Sequence, residues 1–181
     1  MNTNIVLIGF MGCGKSTIGK KLCRRLGLEF TDTDIYIEKT EGIPISRIFA
    51  LKGESHFRTL EENACRSLCK SGGKVIATGG GIIKNPKNTE TLKNGGVIVY
   101  LKARPKHIYR NLAKDNTRPL LSGGGKYKKI KILLESRRQM YEEAADITVN
   151  VSFKTVNDIV GTIIREVEKF EKGHCNTRPQ P

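Results

Sequence analysis

Short unbroken apolar runs alternate along this chain with longer stretches whose apolar residues recur every three or four positions. The runs are Ile5 to Ile8, a short one opened by Phe30, Val75 to Ala77, Val97 to Leu101 and Ile147 to Val151. Runs of this length, bounded by turn residues, predict strands buried on both faces. Helical spacing is carried by Ile18, Leu22 and Leu26, by Phe57, Leu60, Ala64 and Leu68, and by Val156, Ile159, Val160, Ile163, Ile164 and Val167. Further helices are predicted after Asp34, after Asn85-Pro86, from Pro105 to about Lys114 and from Lys128 to Ala145. Strands alternating with helices throughout predict an α/β fold, a parallel sheet of about five strands flanked by helices.

The first run leads directly into Gly9-Phe10-Met11-Gly12-Cys13-Gly14-Lys15-Ser16-Thr17, which fits the phosphate-loop spacing G-x-x-x-x-G-K-[ST]. An apolar strand before and an amphipathic helix after are the context this motif requires. Its glycines let backbone N–H groups turn inward toward a triphosphate, and the helix that follows offers unpaired N–H groups and the positive end of its dipole. Gly12, Cys13, Gly14, Lys15, Ser16 and Thr17 are therefore candidates for nucleotide binding. Lys15 supplies a point charge for the β/γ-phosphates, and the Ser16 hydroxyl is placed to ligate Mg²⁺.

Asp32-Thr33-Asp34 follows the second strand. Read as extended chain, its two carboxylates point the same way and face the phosphate end of the loop. The alternative is that Asp34 merely caps the next helix. Gly79-Gly80-Gly81 directly follows the third strand, where backbone that must approach a ligand closely is expected at the carboxyl end of a parallel strand. In the helix after Gly53, Arg58 and Glu61 lie off the apolar stripe. Asn116 to Lys126 is basic, turn-rich and aperiodic, and reads either as a lid that excludes water during phosphoryl transfer or as an exposed linker.

Length and composition narrow the classes. A chain of 181 residues suits one domain. No apolar run approaches the roughly 18 to 20 residues of a membrane span. The first strand begins almost at the N-terminus, leaving no room for a signal or transit peptide, so a cytoplasmic protein without a membrane is expected. The five cysteines include no C-x-x-C pair and read as core or boundary residues. Of the net charge of +14, residues 102–140 carry +10. That excess suits a small acidic substrate and the phosphates of ATP. With only Tyr109 and Tyr127 in the stretch before Tyr141, it lacks the aromatic interleaving of a nucleic-acid surface.

Taken together, the ordered motifs resemble those of shikimate kinases from about Ile5 to Phe170. The resemblance rests on Leu7 to Thr17, Phe30 to Asp34 with Ile37-Glu38, Gly53-Glu54 with Phe57-Arg58 and Glu61, Gly79 to Gly81, Arg118 to Leu121, and Arg137 with Tyr141-Glu142-Glu143. It implies a nucleoside-monophosphate-kinase-like P-loop fold over residues 1–170, with a lid at about 115–131 and a substrate-binding region at about 32–61. Residues 171–181 have little to pack and are expected to be disordered. The implied reaction is ATP-dependent phosphorylation of the 3-hydroxyl of shikimate, with Mg²⁺, on the way to chorismate and the aromatic amino acids.

Carried over by residue, the resemblance implies that Asp34 binds the substrate hydroxyls and orients or deprotonates the attacking one. It implies further that Arg58 and Arg137 clamp the carboxylate, while Gly80 and Gly81 approach through backbone N–H groups. Ser16 and Asp32 would hold the metal, Lys15 and Arg118 would stabilise the transferring phosphoryl, and Arg110 would lie near the adenine. Arg137 is chosen over Arg138 by its spacing to Tyr141. A monomer is expected. The competing readings are a related kinase for gluconate or a nucleoside monophosphate, and a P-loop protein binding RNA or DNA through residues 102–140.

Overall fold

The computed structural model describes residues 3–113, 121 and 124–175. Its centre is a parallel five-stranded sheet of order β2-β3-β1-β4-β5, built from β1 (Asn4–Ile8), β2 (Glu29–Asp32), β3 (Lys74–Ala77), β4 (Gly96–Lys102) and β5 (Ile147–Asn150). β1 is central: Ile5 pairs with Val75 on one side and Val97 on the other. Ile5, Val6, Leu7 and Ile8 are all inaccessible. Because successive side chains point to opposite faces, both faces of the sheet are covered. The edge strand β5 alternates instead, with Ile147 and Val149 buried and Thr148 and Asn150 exposed. No described helix is long and apolar enough to cross a membrane.

The helices are α1 (Lys15–Leu26), α2 (Thr33–Glu41), α3 (Ile45–Leu68), α4 (Pro86–Gly95), α5 (Pro105–Asn111), α6 (Lys126–Ala144) and α7 (Val156–Cys175). A 3-10 turn, Ile82–Lys84, follows β3. α3 breaks at Gly53, whose backbone at φ 78° and ψ 174° separates two helical halves. Ile37, Ile48, Phe57 and Ala64 form a small core between α2 and α3, apart from the main core around the sheet. The region read as substrate-binding therefore has its own apolar support.

Several details differ from the sequence reading. Asp32 and Asp34 do not share an extended segment, and Asp34 is not the cap. β2 stays paired through Asp32, opposite Ala77, and α2 begins at Thr33. Asp32 is thus the N-cap, its Oδ1 accepting from the Asp34 N–H at 3.0 Å. α6 starts at Lys126, two residues before the expected Lys128, so residues 126–131 of the expected lid are helical. Residues 114–120 and 122–123, with Arg118 among them, lie outside the described residues. α7 continues through Cys175, so residues 171–175 of the expected tail are helical, and 176–181 lie outside the described residues.

Candidate active site

The phosphate loop crosses from β1 to α1 at the carboxyl edge of the sheet. Gly12 has φ 76°, and a Cβ there would come within 2.7 Å of Leu112 Cγ, so both conformation and space call for glycine. Gly14 caps α1 in the left-handed region without any side-chain cap. The first turn of that helix, Lys15 to Thr17, is therefore open to an anion, with Ser16 and Thr17 exposed. Cys13 contributes differently from its neighbours: its side chain is buried and its N–H closes the loop on the Phe10 carbonyl at 3.2 Å. Lys15 folds back over the loop and donates from Nζ to the carbonyls of Gly9 at 2.7 Å and Phe10 at 3.2 Å.

The Ser16 hydroxyl donates to Oδ2 of Asp32 at 2.8 Å. This brings a hydroxyl and a carboxylate together beside the phosphate loop, a pair of hard oxygen donors suited to Mg²⁺. Among the described residues no cluster of three or more His, Cys, Asp or Glu could hold a metal.

Three consecutive glycines join this loop to every predicted substrate residue. A Cβ on Gly79 would lie 2.7 Å from Oδ1 of Asp34 and 3.3 Å from Oε1 of Glu61, one on Gly80 would lie 3.3 Å from the Met11 backbone nitrogen, and one on Gly81 would lie 3.3 Å from Nη1 of Arg58. The Gly80 carbonyl accepts from Tyr141 Oη at 2.5 Å and from Nη1 of Arg137 at 3.3 Å. Asp34, Arg58 and Arg137, from three different helices, thus converge on one turn that also abuts the phosphate loop.

The two arginines are held in different ways. Arg58 donates from Nη1 to Glu61 at 2.5 Å and from Nη2 to Glu54 at 2.6 Å. Burial works against its charge, yet the bonds to Glu54 and Glu61 outweigh burial and raise its pKa. Arg137 is 9% exposed, with its guanidinium 5.7 Å from the ring centre of Phe10. Arg138 points to solvent, paired with Glu135 at 2.8 Å.

Sequence reasoning left Glu61 off the apolar stripe, and here the structure corrects it: Glu61 is 1% exposed. Burial pushes its carboxyl above the ordinary range, against the hydrogen bond and charge of Arg58, which pull it down. Its place four residues after Phe57 and three before Ala64, on the buried face of the helix, was the available signal. Also missed was a chain of contacts behind the loop. Asn111 Nδ2 donates to the Gly12 carbonyl at 2.8 Å and lies 3.1 Å from Nε2 of His107. Arg110 stands with its guanidinium 5.6 Å from the ring of Phe153. Phe153 itself has φ 59° and sends its N–H to Nδ1 of His107 at 3.3 Å. Burial, aided by the charge of Arg110, holds His107 below the ordinary histidine pKa.

Comparison with known proteins places the chain in a family. The family model described as shikimate kinase matches residues 11–168. The shikimate kinase of Caldanaerobacter subterraneus subsp. tengcongensis is 45% identical over 168 residues, covering 93% of this chain and 98% of the relative. That of Thermodesulfovibrio yellowstonii is 41% identical over 170 residues, covering 94% and 98%. Among solved structures, shikimate kinase from Acinetobacter baumannii in complex with shikimate superposes with a TM-score of 0.88 at 36% identity, covering 93% of this chain and 94% of that one. A gluconokinase from Sinorhizobium meliloti shares the fold, with a TM-score of 0.60 at 16% identity over 98% of each chain.

Proposed function

The chain belongs to the shikimate kinase family, and on that premise we propose a role for each side chain gathered at the glycine turn and the phosphate loop. The reaction is ATP-dependent phosphorylation of the 3-hydroxyl of shikimate, giving shikimate 3-phosphate and ADP, a step toward chorismate and the aromatic amino acids. The observation that best supports the assignment of residues is the convergence of Asp34, Arg58 and Arg137 on the turn that also meets the phosphate loop.

Shikimate carries one carboxylate and three hydroxyls. Arg58 and Arg137 supply planar cationic forks for the carboxylate. Asp34 accepts from the substrate hydroxyls and orients or deprotonates the attacking one. Gly80 and Gly81 let the ring approach the backbone. The first turn of α1, with the backbone from Gly12 to Thr17, receives the phosphates, and Lys15 leaves the Gly9 and Phe10 carbonyls to meet the charge that develops on the transferring group. Ser16 and Asp32 would hold Mg²⁺, which when bound neutralises the β- and γ-phosphate oxygens. Arg118, outside the described residues, is assigned by its motif to the lid cation, and Arg110 beside Phe153 to the adenine end. For a small, water-soluble substrate we propose a cytoplasmic monomer with no nucleic-acid partner.

The test is ADP production with Mg-ATP and each of shikimate, gluconate and AMP, the product being identified by mass. Turnover on shikimate alone is expected. Activity on gluconate or AMP without shikimate would overturn the substrate while leaving the phosphate-loop roles intact.

A further inference from the structure

Thr78, Gly79 and Gly80, in the turn after β3, are each pinned to a different element. Thr78 sends both its N–H and its hydroxyl to the Leu7 carbonyl on β1, at 3.1 Å and 3.0 Å. The Gly80 carbonyl is held by Tyr141 and Arg137 on α6. Between them, the Gly79 N–H donates to the hydroxyl of Thr33 at 2.9 Å, a buried bond spanning 46 residues of sequence. Thr33 is the first residue of α2, completely inaccessible, and the immediate neighbour of Asp34.

We propose that Thr33 is a positioning residue for the reaction: its hydroxyl holds the glycine turn in register with Asp34, so that the hydroxyl-binding and carboxylate-binding halves of the site keep one fixed spacing. The proposal rests on the reading of Asp34 and Arg137 given above. Its physical basis is that a buried N–H has to find an acceptor, and no water competes for one at this position. Asp34 packs directly against Gly79, where a Cβ would come within 2.7 Å of its carboxylate. Any shift of Gly79 that seeks another acceptor therefore displaces Asp34 in one direction and the Gly80 carbonyl, with Arg137, in the other. The hydrogen bond of the Thr33 hydroxyl goes to Gly79, the residue packed against Asp34, so the effect falls first on the substrate side.

Thr33→Val keeps the branched shape and removes the acceptor, whereas Thr33→Ser restores it. The valine variant should raise the shikimate KM about tenfold or more, as expected for one buried N–H left unpaired, with the ATP KM within about twofold of wild type. The serine variant should return both close to wild type. An unchanged shikimate KM in a folded Thr33→Val enzyme, or a serine variant as impaired as the valine one, would overturn the tether. The Gly79 amide gives a readout independent of turnover, with Thr33→Ala in place of valine where the latter does not fold. Slow hydrogen exchange in wild type and Thr33→Ser, and exchange faster by about tenfold or more without the hydroxyl, is expected. Equal exchange in all variants would overturn the tether even in an enzyme that phosphorylates something other than shikimate, and protection in a protein inactive on shikimate would leave the tether standing while the substrate reading fell.

Discussion

The hydroxyl of Tyr141 donates to the Gly80 carbonyl over 2.5 Å, fastening α6 to the glycine turn from 61 residues away. Its ring lies stacked on Tyr100, with centres 5.0 Å apart and planes 12° from parallel. Burial raises the phenol pKa far enough that it stays a donor at any working pH. Tyr141→Phe keeps the stack and removes the bond, leaving the carbonyl to Arg137 alone. A stability loss of about 1 kcal/mol is expected from the urea midpoint, with a modest rise in shikimate KM. An unchanged midpoint would mean that Arg137 satisfies the carbonyl by itself.

Gly79 and Gly81 separate two kinds of crowding. A methyl group at 79 meets the Asp34 carboxylate at 2.7 Å on a short side chain anchored in the first turn of α2, whereas one at 81 meets the flexible end of Arg58 at 3.3 Å. Gly79→Ala should cost about 10²-fold in kcat, because the group that orients the attacking hydroxyl is displaced. Gly81→Ala should chiefly raise the shikimate KM. Steady-state kinetics on both variants checks the contrast, and equal losses in kcat would contradict it.

The clamp gives a three-way comparison. Arg137→Ala removes a buried guanidinium and Arg58→Ala one held by two carboxylates, and each should cost about 2 to 5 kcal/mol of shikimate binding with ATP binding retained. Arg138→Ala, on the solvent side, should change the shikimate KM by less than about twofold. Isothermal titration with shikimate would show whether the loss follows the inward arginines. A large effect at Arg138 would reassign the clamp.

Much of this architecture is legible in sequence because its signals are local. The phosphate loop is contiguous, its strand and helix adjoin it, and β1, β3 and β4 each carry an unbroken apolar run because their middles are buried on both faces. The contacts that assemble the site are not local. Nothing within ten residues of Thr33 tells that its hydroxyl meets Gly79, or within ten of Tyr141 that it meets Gly80. The charge of Glu61 sets it apart from the apolar stripe of its helix, yet it stands four residues after Phe57 and three before Ala64 on the same face, and a partner at Arg58 and a glycine turn with no side chains let its carboxylate sink inward. Sequence reasoning weighs Asp34 either as a cap or as one of two aligned carboxylates and leaves Asp32 out as a cap, although both residue types can cap a helix. Pairing of Asp32 with Ala77 on the neighbouring strand holds β2 to that residue, so α2 starts at Thr33 and the cap falls on Asp32.

Lys15 rests on two loop carbonyls and has to exchange them for phosphate oxygens. Its partner charge grows as the phosphoryl group transfers, so Lys15→Ala should lower kcat far more than it weakens ATP binding, by about 10² to 10³-fold as for loss of one preorganised donor. Nucleotide affinity by fluorescence and turnover by ADP release separate the two. Normal turnover would remove Lys15 from the chemistry.

Glu61 joins function and stability with opposite signs. Its surroundings are Arg58 on its own helix, Asp34 from α2 and Lys84 beyond the glycine turn. Burial raises its pKa first of all, and Asp34 adds to this, while Arg58 and Lys84 oppose it. The folded protein therefore binds this proton more tightly than the unfolded chain does. That contribution to stability is complete below the ordinary glutamate value of about 4.3 and is lost as pH rises through the raised value. Glu61→Gln fixes the uncharged form, so it should gain stability relative to wild type as pH rises from about 4 to 7, read from urea midpoints along the series. The same substitution leaves Arg58 with Glu54 as its one charged partner and should raise the shikimate KM at pH 7. A stability difference that stays flat with pH would mean that Glu61 is ionised as readily in the folded protein as in the unfolded chain, its burial fully offset by Arg58.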